Sequence, residues 1–298
     1  MAESETMTTG IKEAPPHISE WRRFIRVFFQ RKIVLVGMVI LVLLVITAIF
    51  APLLAPFDPN IINLRESLQQ PSVEHLLGTD LQGRDTLSRL IYGSRTALLV
   101  GFGSVIMAGV VGISLGLIAG YAGGILNLII MRVMDALMGF PMILLALFIA
   151  AVIGNGIINV IIALSVATLP GYARVMHGLT LTIKENDFVL AQKSMGASQF
   201  RTMFKHILPN GFPPMIVLIT LQLGALILAE AGLSFLGIGI QSPDVAWGYM
   251  VSDGRSRLLT HPWLSLSPGV AIMLVVFGFN LVGDGLRDAL DPRLRGLL

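Results

Sequence analysis

The sequence predicts an all-α, polytopic membrane protein with six transmembrane helices and one long helical loop on the cytoplasmic side. Three observations carry that expectation. Charged residues make up 13% of the 298-residue chain and hydrophobic residues 54%, whereas soluble domains carry about 25% charged residues. Long stretches hold no Asp, Glu, Lys or Arg, notably 33–57, 96–131 and 136–173. There are no cysteines, which excludes a disulfide scaffold, thiolate metal sites and cysteine catalysis. The net charge of +3 comes without a dense basic tract, so nucleic acid is not indicated, and the basic residues are read against membrane topology instead.

Residues 1–32 are expected to form a cytoplasmic tail, loose around Pro15-Pro16, followed by an interfacial amphipathic helix. In WRRFIRVFFQRK, Trp21, Phe24, Ile25, Phe28 and Phe29 share one helical face, and Arg22, Arg23, Arg26 and Gln30 lie opposite. The arginines would meet anionic headgroups of the membrane lipids; the alternative is a plain cytoplasmic extension of the first span. Residues 33–57 form the first transmembrane helix, since about 20 apolar residues cross a bilayer. This run is too long, and wrongly flanked, for a cleaved signal. A mixed-charge loop follows at 58–94, and a transmembrane region at 95–288 carries five more helices. They fall near 96–119, 126–153, 157–175, 212–235 and 266–286, with turns at Gly120–Gly124 and Gly154-Asn155-Gly156. Residues 289–298 form a tail.

Orientation follows from Lys and Arg in the short loops. Arg22, Arg23, Arg26, Arg31 and Lys32 precede the first span. Arg174, Lys184, Lys193, Arg201 and Lys205 belong to the 176–211 loop, and Arg287, Arg293 and Arg295 follow the last span. Both ends and the 176–211 loop are therefore expected in the cytoplasm, and 58–94 and 236–265 outside.

The 176–211 loop is too long for a simple connector. NDFVLAQKSMGASQFRTMFKHILPN reads as two short helices, capped by Asn186 or Asp187 and by Ser198, turned at Gly196 and stopped by Pro209. Phe188, Ala191 and Met195 would share one apolar stripe, and Phe200, Met203, Phe204 and Ile207 another. Such a pair either docks on another protein or lies on the membrane. No phosphate-binding GxxxxGK[ST] loop, HExxH or GxSxG occurs, and the five histidines lack metal-ligand spacing. No catalytic residue, metal site or bound cofactor is expected, and transport is the class that remains.

At 187–209 the sequence resembles the cytoplasmic EAA loop of ATP-binding-cassette importer permeases. Gly196, Leu208 and Pro209 stand at the motif's spacing and Ala191 at its first alanine. Leu190, Gln192 and His206 depart from it, with Ile207 beside the isoleucine place. HLLGTDLQGRDTLSRLIYGSRTALLVG, GYAGGILNLIIMRVMDALMGFP, LSFLGIGIQSPDVAWGYM and FNLVGDGLRDALDPRL are similar to the C-type subunit of dipeptide, oligopeptide and nickel importers. The likeness spans roughly 20–296, departing at Ser242–Ala246 from the Pro-Pro-rich form. It implies half of a translocation pathway for di- or oligopeptides, in a bacterial or archaeal cell membrane. It implies a second homologous permease, two cytoplasmic ATPase subunits or domains that hold ATP and Mg, and an extracytoplasmic solute-binding protein. Nickel or another small solute is the near alternative, and a self-sufficient secondary transporter or channel the remote one. The residues assigned to ATPase coupling are Asp187, Ala191, Gly196, Ala197, Phe200, Leu208 and Pro209.

Other residues follow from physical argument. Gly112, Gly116, Gly120 and Gly124 recur every four positions and suit close helix packing. Arg132 and Asp135, three apart on one helix, are able to pair, as a gate, a subunit contact or simple snorkelling. Glu230 interrupts an apolar run and either lines the pathway, holds a periplasmic gate or bonds a neighbouring helix. Asp80, Arg84 and Asp85 form an ion-paired turn or touch the binding protein, and Asp284, Arg287, Asp288 and Asp291 make local pairs at a helix end.

Overall fold

The computed structural model describes residues 20–290. The tail around Pro15-Pro16, and Asp291, Arg293 and Arg295, lie outside the described residues, as do the side chains of Trp21, Arg22 and Arg23. Its regular structure is all helical, and no β-strand occurs among the described residues.

Helix α1 (Glu20–Gln30) ends at Arg31, whose extended backbone (φ −85°, ψ 105°) separates it from α2 (Lys32–Ile49). It is therefore not a straight extension of the first span. Its apolar stripe also divides: Phe28 is buried with Val34 of α2 and Ala289 near the chain's end, whereas Ile25 and Phe29 stay exposed. After the single turn of α3 (Ala51–Leu54), an irregular connection leads to α4 (Thr86–Ala122). Helix α4 has 37 residues, about 55 Å at 1.5 Å per residue, against a hydrocarbon layer of about 30 Å. It starts ten residues before the expected span at 96–119, because Asp85 caps it out in the polar connection.

The expected third span is not one rod. Helix α5 (Gly124–Met138) and α6 (Met142–Ile153) meet at 91°. Pro141 stands at the N-cap of α6 and biases Phe140 away from helical geometry, which ends α5. Helix α7 (Ile157–Ile183) then runs eight residues past the expected end at 175. It lies parallel to α4: Ser165 bonds the Ser104 carbonyl at 3.2 Å, while Gly112 lies against Tyr172, Gly116 against Ala173 and Gly120 against Thr180. Two parallel neighbours require the intervening chain to return across the bundle, so α5 and α6 together make one bent crossing. The other five crossings are the long apolar helices α2, α4, α7, α10 and α12.

The loop after α7 holds α8 (Asp187–Ser194) and one turn, α9 (Gln199–Arg201). A π-helical stretch, Thr202–Ile207, then leads without a break into α10 (Leu208–Phe235). Pro209 does not stop the second short helix as expected. A proline lacks the N–H and crowds the carbonyl one turn back, and the wider π turn directly before it relieves that conflict. Beyond α10 come α11 (Trp247–Gly254) and α12 (Trp263–Leu290).

Contacts place the ends. Arg31 pairs with Asp288 at 2.9 Å, and Val34 packs against Gly285, so α2 starts where α12 finishes. Gly211 of α10 sits on Met176 and Ile183 of α7, and α12 runs antiparallel to α10, with Gly283 on Leu221 and Gly224 on Val276. One side of the bundle therefore carries α1, α8 and α9, and the opposite side carries the 55–85 connection and α11. The largest buried cluster, with Val100, Leu164, Leu226, Ile227 and Trp247, lies between α4, α7, α10 and α11. A second, with Tyr172, Met176, Ile183, Val189, Ile207 and Met215, lies under α8.

Candidate functional site

The α8 side presents a surface built from the loop's two kinds of apolar residue. Val189 and Ile207 are fully buried against Met176, Ile183 and Met215, and so fix α8 and the π turn to the bundle. Met195 (72% exposed) and Phe200 (68%) point away from it, with Phe188, Leu190 and Phe204 also exposed. The Phe200 and Phe204 rings lie 4.4 Å apart between centroids. Large apolar groups left uncovered in one patch mark an interaction surface.

Local chemistry shapes this patch. Asn186 occupies the N-cap of α8 without a side-chain bond, and Asp187 stands exposed in the first turn, where its charge suits the helix dipole. Gly196 has φ +79°, and Ala197 N–H donates to the Gln192 carbonyl at 3.1 Å, the six-to-one bond of a glycine-terminated helix. Nothing lies within 4 Å of the space a Cβ on Gly196 would fill, so the backbone angle alone requires glycine. Ser198 Oγ accepts from Arg201 N–H at 3.3 Å and caps the second short helix. Ala191 is exposed beside Phe188, Leu208 is half-buried and Pro209 exposed. Lys184 Nζ donates to the Gly120 carbonyl at 3.1 Å, and Lys193 stands 5.4 Å over the Tyr121 ring, tying the loop to the end of α4.

The opposite side carries a buried charge lock. Arg84 and Arg89 are 2% and 1% exposed. Asp80 Oδ2 accepts from Arg84 Nε at 2.7 Å and lies 3.6 Å from Arg89 Nε, and Asp80 Oδ1 accepts from the backbone of Gln82 and Arg84. Arg89 Nη1 donates to the Pro59 carbonyl at 2.9 Å. Arg84 also reaches Ser242 Oγ (3.5 Å) and Asp253 (3.9 Å), which joins the connection to the α10–α11 hairpin. Burial first, and then the Asp80 carboxylate, push Asp253 above the usual carboxylate range, against the pull of Arg84 and Arg89. Asp85 Oδ2 accepts from both N–H and Oγ of Ser88 at 2.7 Å, while its Oδ1 is hydrogen-bonded to His75 at 2.9 Å. The ion-paired turn expected at Asp80–Asp85 is thus present. His75, Arg89 and Asp253 were not expected in it, because only the fold brings them together; the one local hint is Arg89, a single helical turn beyond Asp85.

Replacing Asp85 by Ala removes a helix cap and the His75 partner, which together are worth about 1–2 kcal/mol. Amide exchange at Leu68, Thr79 and Asp80 is expected to rise about 5–30-fold, while α7 and α10 stay unchanged. Unaltered exchange at these three amides would show that the cap does not hold the connection.

The other predicted residues fall as follows. Asp135 pairs not with Arg132 but with Arg174 of α7, at 2.5 Å, both half-exposed. Arg132 is exposed and forms no ion pair among the described residues. An interhelical partner within reach displaces the weaker pair along one helix. Glu230 is 2% exposed and accepts from Ser234 Oγ at 2.7 Å; Ser234 Oγ in turn accepts from Ile240 N–H at 2.9 Å. Its carboxyl thus serves the turn out of α10. Gly112, Gly116 and Gly120 meet α7 closely, but Gly124 does not continue the series: it has φ +54° and nothing within 4 Å of a Cβ, as a turn residue.

Six crossings thus surround a packed core, with an exposed helical patch on one side and a braced connection on the other. The chain belongs to the family of binding-protein-dependent transport system inner membrane components, whose model matches residues 112–296. The N-terminal TM domain of oligopeptide transport permease C matches residues 19–71. The chain is 42% identical to the dipeptide transport system permease protein DppC of Alkalihalophilus pseudofirmus, over 97% of each chain. It is 38% identical to the oligopeptide transport system permease protein OppC of Bacillus subtilis, over 93% of this chain and 91% of that one. A solved structure of the MetNI methionine ABC transporter in an inward-facing conformation shares the fold, with a TM-score of 0.56 at 20% identity, covering 67% of this chain and 96% of that chain. The chain is a multi-pass membrane permease subunit of an ATP-binding-cassette importer.

Proposed function

We propose that the chain forms half of the translocation pathway of an importer for di- and oligopeptides, with the α8 side in the cytoplasm. Arg31, Lys32, Lys184, Lys193, Arg201, Lys205 and Arg287 all lie at that side, as the positive-inside rule requires. The exposed patch of Phe188, Met195 and Phe200 docks partner ATPases, and this patch is the observation that carries the reading. Val189 and Ile207 seat the docked loop directly on α7 and α10, so movement of the ATPases on binding ATP is transmitted to two crossing helices. The pathway then alternates between its inward- and outward-open states. ATP and Mg sit on the ATPases, because this chain has no nucleotide loop. A second homologous permease completes the pathway. On the other side, the braced connection and hairpin form the surface onto which a solute-binding protein delivers peptide. Relatives that carry dipeptides and oligopeptides by name support the solute class.

Reconstitution tests this reading. In liposomes the chain alone is expected neither to hydrolyse ATP nor to accumulate peptide, and uptake appears only with the second permease, the ATPases and the binding protein. Gradient-driven accumulation by the chain alone would instead establish a secondary transporter.

A further inference from the structure

On the flank of the bundle, α2, α4 and α12 diverge around a groove of about 260 Å³, walled by Ile40, Leu44, Ile91, Trp247, Ala271 and Leu274. We propose that this groove binds one acyl chain of a phospholipid in the leaflet on the α11 side, with the lipid phosphate at Arg95. The inference concerns neither the solute nor the ATPases and stands on four features of the site.

The wall offers hydrocarbon alone along most of its length. Ser94 Oγ donates to the Ile91 carbonyl at 2.6 Å, and Trp247 Nε1 donates to the Leu90 carbonyl at 2.9 Å. Thr47, the remaining polar side chain of the wall, stands next to Ala48 at the end of α2. A peptide seated here would leave its amides without partners, whereas a lipid tail has none to satisfy. The groove also opens sideways: Leu43 (58% exposed) and Leu274 (41%) form its rim on two membrane-crossing helices.

Charge narrows the occupant, and a run of methylenes suits the apolar lining. Arg95, next to Ser94 in the chain, donates Nε to the Ala48 carbonyl at 2.6 Å and Nη2 to the Ile49 carbonyl at 3.4 Å. Its guanidinium lies 5.7 Å from the Tyr92 ring centre, and it forms no ion pair among the described residues. These bonds hold a cation with spare donors where α2 ends, beside an aromatic ring of the kind that sits at headgroup depth. A phosphate completes the pairing. The floor is rigid as well, because a Cβ on Gly93 would stand 2.5 Å from the Trp247 indole, so only glycine lets that ring lie against α4.

Trp247 serves as the reporter. With Trp21→Phe and Trp263→Phe it is the sole tryptophan, and the protein is placed in vesicles of phosphatidylglycerol and phosphatidylethanolamine with brominated acyl chains. Strong quenching of Trp247 is expected, and most of it is lost in Ala271→Phe, which fills the groove. When only phosphatidylglycerol is brominated, Arg95→Gln lowers the quenching while Ala271 variants apart from the bulky one leave it unchanged. The wild-type chain drawn from native membrane in mild detergent retains a phospholipid by native mass spectrometry, a measurement that needs no variant to fold. Quenching indifferent to Ala271→Phe, its disappearance once the second permease is assembled alongside, or a wild-type chain that retains no lipid would each overturn the proposal.

Discussion

Gly116→Leu is expected to abolish the packing of α4 on α7 and to destabilise the subunit by about 3 kcal/mol or more. Inserting side-chain atoms into a packed core costs about 1–3 kcal/mol when flexible side chains give way. Here the added Cβ meets backbone: it overlaps the Ala173 carbonyl oxygen and stands 3.0 Å from the Ala173 carbonyl carbon and the His177 nitrogen. Backbone of a 27-residue helix yields only by moving the helix. In a bilayer the two helices are held by close van der Waals contact and not by exclusion of water, so a wider separation forfeits the attraction along the whole seam. Gly109→Ala in the same helix is the control, since nothing lies within 4 Å of its Cβ. It is expected to be neutral, or stabilising by up to about 1 kcal/mol through helix propensity. Thermal unfolding of the purified subunit in detergent separates the two, and a Gly116→Leu protein as stable as Gly109→Ala would remove the close-packing account of this seam.

The glycine series shows what a sequence discloses about such a protein. Apolar, charge-poor runs pointed to the crossings, because the bilayer imposes composition on whatever lies inside it. It imposes nothing on the parts outside. The first turns of α4 from Thr86 carry Arg89 and Arg95, and the last of α7 beyond Met176 carry His177, Thr180 and Thr182, and so read as loop, though the helices continue. The bend between α5 and α6 had a local sign in Gly139-Phe140-Pro141, but an unbroken apolar run hid it. Spacing alone placed Gly124 with Gly112, Gly116 and Gly120, and only the positive φ shows that it turns the chain. Pairing along one helix suggested Arg132 for Asp135, and the fold supplies Arg174 from thirty-nine residues away. The α8–α9 loop was more legible, since its glycine, its cap and its exposed phenylalanines are all local features. Its inward anchors Val189 and Ile207 were not separable from the outward stripe, because a short helix with apolar residues on two faces gives no period that says which face is covered.

Those anchors sharpen the expectation for coupling. Phe200→Glu should leave the chain folded, because Phe200 is 68% exposed and no buried contact is lost. In a docked complex the same carboxylate would be desolvated against an apolar partner without a counter-charge, at a cost of about 3 kcal/mol, or roughly a hundredfold in affinity. ATPase copurification and ATP-driven uptake should both fall to background at matched permease levels. Gly196→Val acts differently: at φ +79° a β-branched residue is strained by about 1–3 kcal/mol, and α8 and α9 lose their relative angle although nothing obstructs the side chain. Docking should weaken and uptake fail. Gly196→Asn, which tolerates the left-handed region, should restore most of both. That rescue distinguishes a backbone requirement from a contact made by the glycine itself, since Asn is bulkier than Val in reach but not in strain. Solute binding by the separate binding protein should be the same in all three variants, because that step takes place across the membrane. Normal uptake with Phe200→Glu and Gly196→Val together would mean that the α8–α9 loop is a surface connector, and ATP-driven movement would have to enter the bundle elsewhere.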